Sequence, residues 1–247
     1  MNEQYTQCAL VVGAGGGIGR ALVVAFSSDP TISHVFAVSS RSVPADPRTT
    51  SDNVTWLPCD YSENSIEQLV KDLTTLNITL TRVCICNGIL HGENLMPEKR
   101  LEYVKPDSLR TLFSINAILP LVWLKSLQSL CQSDVKCCLA VLSARVGSIS
   151  DNRLGGWYGY RASKAALNMF LKTAASEYRV RNKNVKLIAF HPGTTDTWLS
   201  KPFQSRVAPE KLFSPEFVAS RLLGLMKTAE PDGELVFLDW DGKNVEW

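Results

Sequence analysis

The sequence predicts a single α/β domain with a doubly wound parallel sheet of about seven strands and helices on both faces. Short apolar runs alternate with helical segments along the whole chain, and this order places crossover helices over a parallel sheet. The runs are apolar throughout, as in strands buried on both faces. No linker, repeat or low-complexity segment divides the 247 residues, so we expect one domain over 1–247.

The predicted elements follow one another in a regular order. Strands are predicted at 8–12, 34–38, 54–57, 82–86, 136–142, 185–190 and 235–238, and helices at 20–26, 63–76, 107–131, 157–179 and 215–228. We expect Ser62 to start the second helix, Asp107 or Ser108 to cap the third, and Ser214 to start the last. Side chains of these types accept hydrogen bonds from the free N–H groups of a helix start.

Composition and charge exclude several classes of protein. Hydrophobic content is 45%, charged content is 20% and net charge is +2, so neither nucleic acid nor a membrane is an expected partner. The most apolar long segment, 115–130, contains Asn116, Pro120 and Lys125 and is predicted to be a buried helix. The N-terminus has no basic start and no cleavage site, so no signal peptide is predicted. The seven cysteines show no paired metal-ligand spacing, which favours reduced thiols in a cytoplasmic protein and no metal site.

The first strand runs into a glycine-rich turn at 13–19, and a helix follows the turn. Glycines let the backbone approach a pyrophosphate, and the helix start supplies free N–H groups. The spacing is G-x-x-x-G-x-G rather than G-x-G-x-x-G, because Ile18 occupies the place of the third glycine. This pattern predicts a dinucleotide site; the alternative is an ordinary glycine-rich turn.

The second strand ends at Ser39, Ser40 and Arg41, where an NAD site usually carries a carboxylate for the ribose 2′-hydroxyl. The nearest acid after this strand is Asp46. Two hydroxyls and a guanidinium suit the oxygens of a 2′-phosphate instead. We therefore expect NADP(H) to be preferred; NAD(H) is the alternative if Arg41 points to solvent.

Tyr160 and Lys164 lie one turn apart on one face of the helix predicted at 157–179. A nearby ammonium group favours the tyrosinate, so we expect the pKa of Tyr160 to fall below its usual value of about 10. Such a phenol could give a proton to a carbonyl oxygen or take one from an alcohol. The alternative is a solvated Tyr and Lys with no chemical role.

Ligands of doubly wound sheets bind beyond the carboxyl ends of the strands. We expect the residues at those ends to line one rim: Gly13, Ser39, Asp60, Asn87, Ser143 and His191. The segment 194–213 is too long for a plain connection. Its apolar side chains predict a substrate lid, with a packed surface excursion as the alternative; they include Trp198, Leu199, Pro202, Phe203 and Val207.

In the order of these motifs the chain resembles the short-chain dehydrogenase/reductase family from Val11 to Trp247. The matching positions are Gly13, Gly17, Gly19, Asp60, Asn116, Tyr160, Lys164, Pro192, Gly193 and Thr197. The run WYGYRASKAALN and the final DGKNVEW are most similar to the sniffer/C-factor-like carbonyl reductase branch. The resemblance implies a Rossmann-like fold.

The resemblance also implies hydride transfer between NADP(H) and a small carbonyl compound or secondary alcohol. Tyr160 would exchange the proton, Lys164 would lower the pKa of Tyr160 and hold the ribose, and Asn116 would hold a water that links Lys164 to solvent. The implied cofactor contacts are Gly13, Gly15, Gly17, Ile18, Gly19, Ser39, Ser40, Arg41, Asp60, Tyr61, Asn87, Gly88, Tyr160, Lys164, Pro192, Gly193, Thr195 and Thr197.

Three departures from the family pattern leave alternatives open. Val12 replaces the Thr before the first glycine, the strand-four motif N-N-A-G reads I-C-N-G at 85–88, and Ala144 stands where the catalytic hydroxyl usually falls. We assign that hydroxyl to Ser143, with Ser148 as the alternative. Ile85, Cys86 and Ala144 support a rival function, a dinucleotide-binding sensor or scaffold with little turnover, but the intact Asn116, Tyr160 and Lys164 argue against it. A sugar-nucleotide epimerase or dehydratase is a third reading, for which the chain is short.

The helices at 107–131 and 158–180 are expected to mediate self-association. They carry small and apolar side chains that suit helix packing across a two-fold axis. On the second helix these are Ala162, Ala165, Ala166, Leu167, Phe170 and Ala174. The expected assembly is a homodimer or homotetramer.

Overall fold

The computed structural model describes residues 7–41, 46–76, 78–131 and 134–247. Its strands are β1 (Cys8–Val12), β2 (His34–Ser39), β3 (Val54–Pro58), β4 (Leu80–Ile85), β5 (Cys137–Leu142), β6 (Val185–His191), β7 (Thr194–Thr195), β8 (Leu212–Phe213) and β9 (Leu235–Asp239). Seven of them form a parallel sheet in the order β3-β2-β1-β4-β5-β6-β9. This confirms the predicted doubly wound sheet. Residues 1–6, where the absence of a signal peptide was predicted, lie outside the described ranges.

Helices cover both faces of this sheet. They are α1 (Gly17–Ser27), α2 (Glu63–Thr74), α3 (Pro106–Phe113), α4 (Leu119–Leu127), α5 (Tyr158–Arg181) and α6 (Pro215–Thr228). One core packs α1 and α6 against the sheet, and the other packs α2, α4 and α5 against the opposite face. In β1, Ala9 and Val11 join the first core while Leu10 and Val12 join the second. Burial of both faces explains why the strands are continuously apolar.

Two helix starts were predicted correctly and one was not. The Ser62 hydroxyl accepts a hydrogen bond from the Ser65 N–H (3.3 Å), and the Ser214 hydroxyl accepts one from the Phe217 N–H (3.1 Å). The third helix was expected to be capped by Asp107 or Ser108, but it begins at Pro106 without a side-chain cap. Proline suits a first helical position because its φ is fixed and it lacks the N–H that would go unpaired.

The helix expected to be continuous over 107–131 is interrupted by a π turn. The turn spans Ser114–Ile118, and the Leu119 N–H donates to the Ser114 carbonyl, five residues earlier. Such turns insert one extra residue into a helix and often occur at functional sites. Here the turn contains the fully buried Asn116.

The segment predicted as a lid has a compact structure. It begins in β7 and ends in β8, which pair in parallel, and it contains short 3₁₀ helices at Lys201–Arg206 and Pro209–Lys211. All seven cysteines are free thiols, as expected; six of them are buried and Cys86 is half-buried. Within the described ranges, no helix is both long enough and apolar enough to span a membrane.

Candidate active site

The turn between β1 and α1 brings backbone close to backbone. Gly13 has a φ of +79°, and a Cβ on Gly19 would lie 2.3 Å from the Gly13 carbonyl oxygen. Helix α1 follows Gly16 with no side-chain cap and no acidic residue in its first turn. Its first N–H groups and its positive dipole end are therefore left for an anionic ligand.

Two adjoining clefts lie beyond the carboxyl ends of the strands. The larger, of about 530 Å³, is lined by Gly13, Gly15, Gly16, Ser39, Ser40, Arg41, Asp60, Tyr61, Cys86, Asn87, Gly88, Ile89, Ser114, Ile115, Leu119 and Trp198. The smaller, of about 190 Å³, adds Gly17, Ile18, Gly19, Leu142, Ser143, Tyr160, Lys164, Pro192, Thr197 and Leu199. Most of the expected cofactor residues are thus brought together. His191, Gly193 and Thr195 line neither cleft.

The lining residues fit a dinucleotide. A Cβ on Gly15 would lie 2.6 Å from the Ser39 hydroxyl, so only glycine leaves room over the turn. The Asn87 Oδ1 is buried and has no hydrogen-bond partner among the described residues. A bound ribose or carboxamide could donate a hydrogen bond to such an acceptor.

Arg41 lies against the glycine turn. Its Cβ and Cδ are 3.4 Å and 3.5 Å from the position that a Cβ on Gly15 would occupy. The main-chain N–H of Arg41 donates to the Ser39 hydroxyl at 2.9 Å. Arg41 lines both clefts. Arg41 thus borders the region where the adenosine end of a dinucleotide is expected.

Tyr160 and Lys164 are both buried, with exposed fractions of 8% and 3%. Lys164 Nζ donates to the Leu142 carbonyl at 2.8 Å and lies 6.0 Å from the centre of the Tyr160 ring. Burial raises the pKa of Tyr160 to about 12 and lowers the pKa of Lys164 to about 8. The expected fall in the pKa of Tyr160 is therefore wrong for this structure. The loss of water around the phenol raises its pKa by more than the Lys164 ammonium lowers it, because the ammonium is directed at the Leu142 carbonyl oxygen.

The Asn116 side chain fastens the loop after β4 to α5. Its Oδ1 accepts from the Ile89 N–H (2.8 Å), while its Nδ2 donates to the Ile89 carbonyl (2.9 Å) and to the Ser163 hydroxyl (3.1 Å). Both ends of the amide are therefore engaged in holding the protein together. The expected water-holding role of Asn116 stays a prediction.

The two candidate serines lie in different surroundings. Ser143 lines the cleft that contains Tyr160 and Lys164, and its hydroxyl donates to Asn168 Oδ1 at 2.6 Å. Ser148 Oγ instead accepts from the Asp151 N–H (3.2 Å) and lines a separate cavity of about 260 Å³. Ser143 therefore remains the better candidate for the hydroxyl.

Tyr160 belongs to an apolar cluster. Its buried members are Leu90, Leu95, Leu112 and Tyr160, and the side chains packed against them are Ile89, Ala144, Val146, Trp157, Leu199 and Phe203. The Trp157 ring meets Tyr160 edge-on at 6.2 Å and lies 5.0 Å from the Phe203 ring. Ile89 and Leu199 of this cluster line the clefts, so the cluster gives the site an apolar wall near the phenol.

Sequence reasoning missed Trp157 and Glu98 at this site. Trp157 adopts the left-handed conformation (φ 54°) immediately before α5. Its N–H donates to the Glu98 carbonyl, and the Glu98 carboxylate accepts from the Gly159 N–H at 3.2 Å. The adjacent pair Gly155 and Gly156 hinted at an unusual backbone here, but the partner lies far away in the sequence.

The chain is similar to known dehydrogenases and reductases in both sequence and fold. The family described as short chain dehydrogenase matches residues 7–208. Benzil reductase ((S)-benzoin forming) of Bacillus cereus is 25% identical to this chain over 256 residues. The alignment covers 93% of this chain and 98% of the Bacillus cereus protein. Carbonyl reductase Sniffer of D. melanogaster aligns with a TM-score of 0.82 at 19% identity, covering 99% and 100% of the two chains. The NADPH-bound carbonyl reductase from chicken fatty liver aligns with a TM-score of 0.82 at 20% identity, covering 100% and 96%. These two structures establish a common fold.

Proposed function

Because this chain belongs to the short-chain dehydrogenase family and is an NAD(P)-dependent oxidoreductase, we propose that it reduces the carbonyl group of an apolar small molecule with NADPH, or oxidises the corresponding secondary alcohol. The observation that carries this proposal is the position of Tyr160 and Lys164, which line a cleft continuous with the glycine turn. A proton-exchanging phenol in that place has no evident use in a sensor or scaffold.

The cofactor would lie along the rim of the sheet. The glycine turn would hold the pyrophosphate, Ser39, Ser40 and Arg41 the 2′-phosphate, and Asn87 and Lys164 the nicotinamide ribose. When bound, the nicotinamide supplies or accepts the hydride. The preference for NADP(H) is supported by Arg41, whose Cβ and Cδ lie beside Gly15, and by the lack of a carboxylate directly after β2 in the sequence.

The proton would be supplied by Tyr160. With a pKa of about 12 the phenol is protonated at neutral pH, so it is in the right form to donate a proton to a carbonyl oxygen. The tyrosinate left behind would be stabilised by Lys164, whose Nζ lies 6.0 Å from the ring centre. Ser143 would hydrogen-bond the substrate oxygen.

The substrate class follows from the cluster around Tyr160. Aliphatic and aromatic side chains form this cluster; the Trp157 ring adjoins the phenol, and the Phe203 ring adjoins Trp157. Uncharged ketones and aldehydes with aryl or alkyl substituents fit such a wall. The relative named benzil reductase supports this class.

We further propose that α5 forms a self-association surface. Met169 and Ala162 are exposed on its outer side, and Ile118 is exposed in the neighbouring π turn. Leu167, which was expected to belong to this surface, is fully buried in the core and is excluded from it. A dimer in light scattering that the Met169→Glu variant converts to monomers would support this proposal, whereas a monomeric wild type would refute it.

The test of the main proposal is NADPH oxidation with a panel of benzil, aromatic aldehydes and aliphatic ketones. Turnover of apolar members by the wild type and its loss in the Tyr160→Phe variant are expected. Tight NADPH binding without turnover of any member would favour a sensor or scaffold instead.

A further inference from the structure

Asn168 lies on α5 one turn beyond Lys164, and its side chain meets the Ser143 hydroxyl at the end of β5. Its exposed fraction is 4%, and that of Ser143 is 3%. We propose that Asn168 is a positioning residue that donates a hydrogen bond to Ser143 Oγ and thereby turns the Ser143 hydrogen toward the substrate oxygen. This inference rests on the proposed carbonyl reductase function.

The arrangement of α5 against β5 supports this role. Residues four apart on a helix lie in a row, so Tyr160, Lys164 and Asn168 share one face. Lys164 binds the carbonyl of Leu142, and Asn168 binds the side chain of Ser143. Lys164 therefore holds Leu142, the last residue of β5, and Asn168 holds the next residue, Ser143.

The partners available to the Asn168 amide indicate which group donates in its hydrogen bond to Ser143. With Oδ1 toward Ser143, the Nδ2 group of Asn168 is buried and has no partner among the described residues. Rotation of the amide by 180° exchanges its oxygen and nitrogen, which have nearly the same shape. Nδ2 then donates to Ser143 Oγ, and the unpaired group becomes a carbonyl oxygen. A buried carbonyl without a partner is less rare than a buried N–H without one.

The same rotation decides whether Ser143 can serve the reaction. When Ser143 donates to Asn168, its oxygen can only accept, and a substrate carbonyl oxygen is also only an acceptor. When Asn168 donates, the Ser143 hydrogen is free to point into the cleft. This matters in this chain because Ala144, the following residue, carries no hydroxyl.

The experiment is a double-mutant cycle that combines Asn168→Asp or Asn168→Leu with Ser143→Ala. Each Asn168 variant should lower kcat about tenfold or more, the effect of one well-placed hydrogen bond, with the NADPH affinity unchanged. In the Ser143→Ala background neither change should lower kcat further. NADPH affinity and circular dichroism check folding, and Asp is nearly the same shape as Asn.

The Asn168→Asp variant also tests the direction of the bond. When ionised, its new carboxylate can only accept, whereas the protonated carboxylic acid can donate, so the activity of this variant should recover as the pH falls. Asn168→Leu should show no such recovery. The ionisable groups one turn away on α5 are Lys164 and Lys172, of which Lys172 pairs with Glu234. On the adjacent strand β6, His191 follows Phe190, whose carbonyl accepts from the Ser143 N–H, and burial lowers the pKa of His191 to about 4. All three are present in the Leu variant, which controls for their titration.

The outcomes separate this inference from the proposed function. Effects that multiply in the double mutants, or full activity of Asn168→Leu, would overturn the role of Asn168 and leave the reductase function standing. An unchanged kcat in Ser143→Ala would overturn the serine assignment and this inference together. A wild type that reduces no carbonyl would refute the proposed function itself, and the inference with it.

Discussion

The side chain of Asn116 binds both main-chain groups of Ile89, accepting from its N–H at 2.8 Å and donating to its carbonyl at 2.9 Å. The π turn in the middle of the long helix is thereby joined to the loop that follows β4. Gly88 adjoins both Asn116 and Lys164: a Cβ there would lie in ordinary contact, 3.6 Å from Asn116 Oδ1 and 3.8 Å from Lys164 Nζ.

Asn116→Ala should therefore lower the stability of the protein as well as its catalytic rate. Two partly buried main-chain groups would lose their partners, at up to about 1–3 kcal/mol each, so we expect the free energy of unfolding in urea to fall by about 2–4 kcal/mol. The control is Asn152→Ala, which removes an exposed amide. Equal stability of the Asn116 variant and the wild type would contradict the prediction.

Tyr160→Phe should abolish most turnover while leaving cofactor binding near normal. Removal of a general acid typically lowers kcat by about 10² to 10⁴-fold. Tyr158→Phe provides the matched control, because Tyr158 lies two residues earlier on the same helix and is 39% exposed. Near-full activity of the Tyr160→Phe variant would contradict the proposed role of Tyr160 as the proton donor.

Ser143→Ala should lower kcat strongly and Ser148→Ala weakly. Ser143 lines the cleft with Tyr160, whereas Ser148 lines the separate cavity beyond it. Steady-state kinetics on the best substrate of the panel would distinguish the two. If Ser148→Ala is the inactive variant, the 148–156 segment supplies the hydroxyl and our assignment is wrong.

Arg41→Ala should weaken NADPH binding selectively. One charge-assisted hydrogen bond contributes about 1.5–3 kcal/mol, equivalent to roughly ten- to a hundredfold in affinity. We expect this loss for NADPH and little change for NADH in fluorescence titrations. Arg48→Ala is the control, since Arg48 is an exposed neighbour paired with Asp46. Equal affinities of the wild type for the two cofactors would show that Arg41 does not read a phosphate.

The buried Lys164 should make stability depend on pH. Its pKa is lowered to about 8 in the folded protein, whereas an unfolded Lys titrates near 10.4. Between these values the unfolded chain holds the proton that the folded chain has released, so the stability of the wild type rises with pH. Relative to Lys164→Met, we expect a gain of up to about 3 kcal/mol from about pH 8 to 10.5. Urea unfolding across this range measures it, and a constant difference would contradict it.

The fold and the rim of the site were predictable because they depend on local patterns. Continuous apolar runs indicate buried strands, and the residues after them must meet at one edge of a parallel sheet. The glycine turn and the helical spacing of Tyr160 and Lys164 are equally local. The start of α3 at Pro106 was predicted wrongly, although proline favours a first helical position.

Other features depend on contacts that no local pattern contains. The π turn exists where Asn116 reaches Ile89 and Ser163, and the conformation of Trp157 depends on Glu98. The pKa of Tyr160 rises because burial removes water from the phenol, and burial cannot be read from the spacing of two residues.

The pairing of β7 with β8 holds both ends of the segment 194–213 together. The Ser200 hydroxyl adds a hydrogen bond to the Thr195 carbonyl. Residues 201–211, which follow the part of the segment that lines the cleft, form an exchangeable cassette, because lengthening a loop with closed ends costs little. Related chains could acquire new substrates by replacing this cassette, and the same junctions offer an engineer a place to graft one.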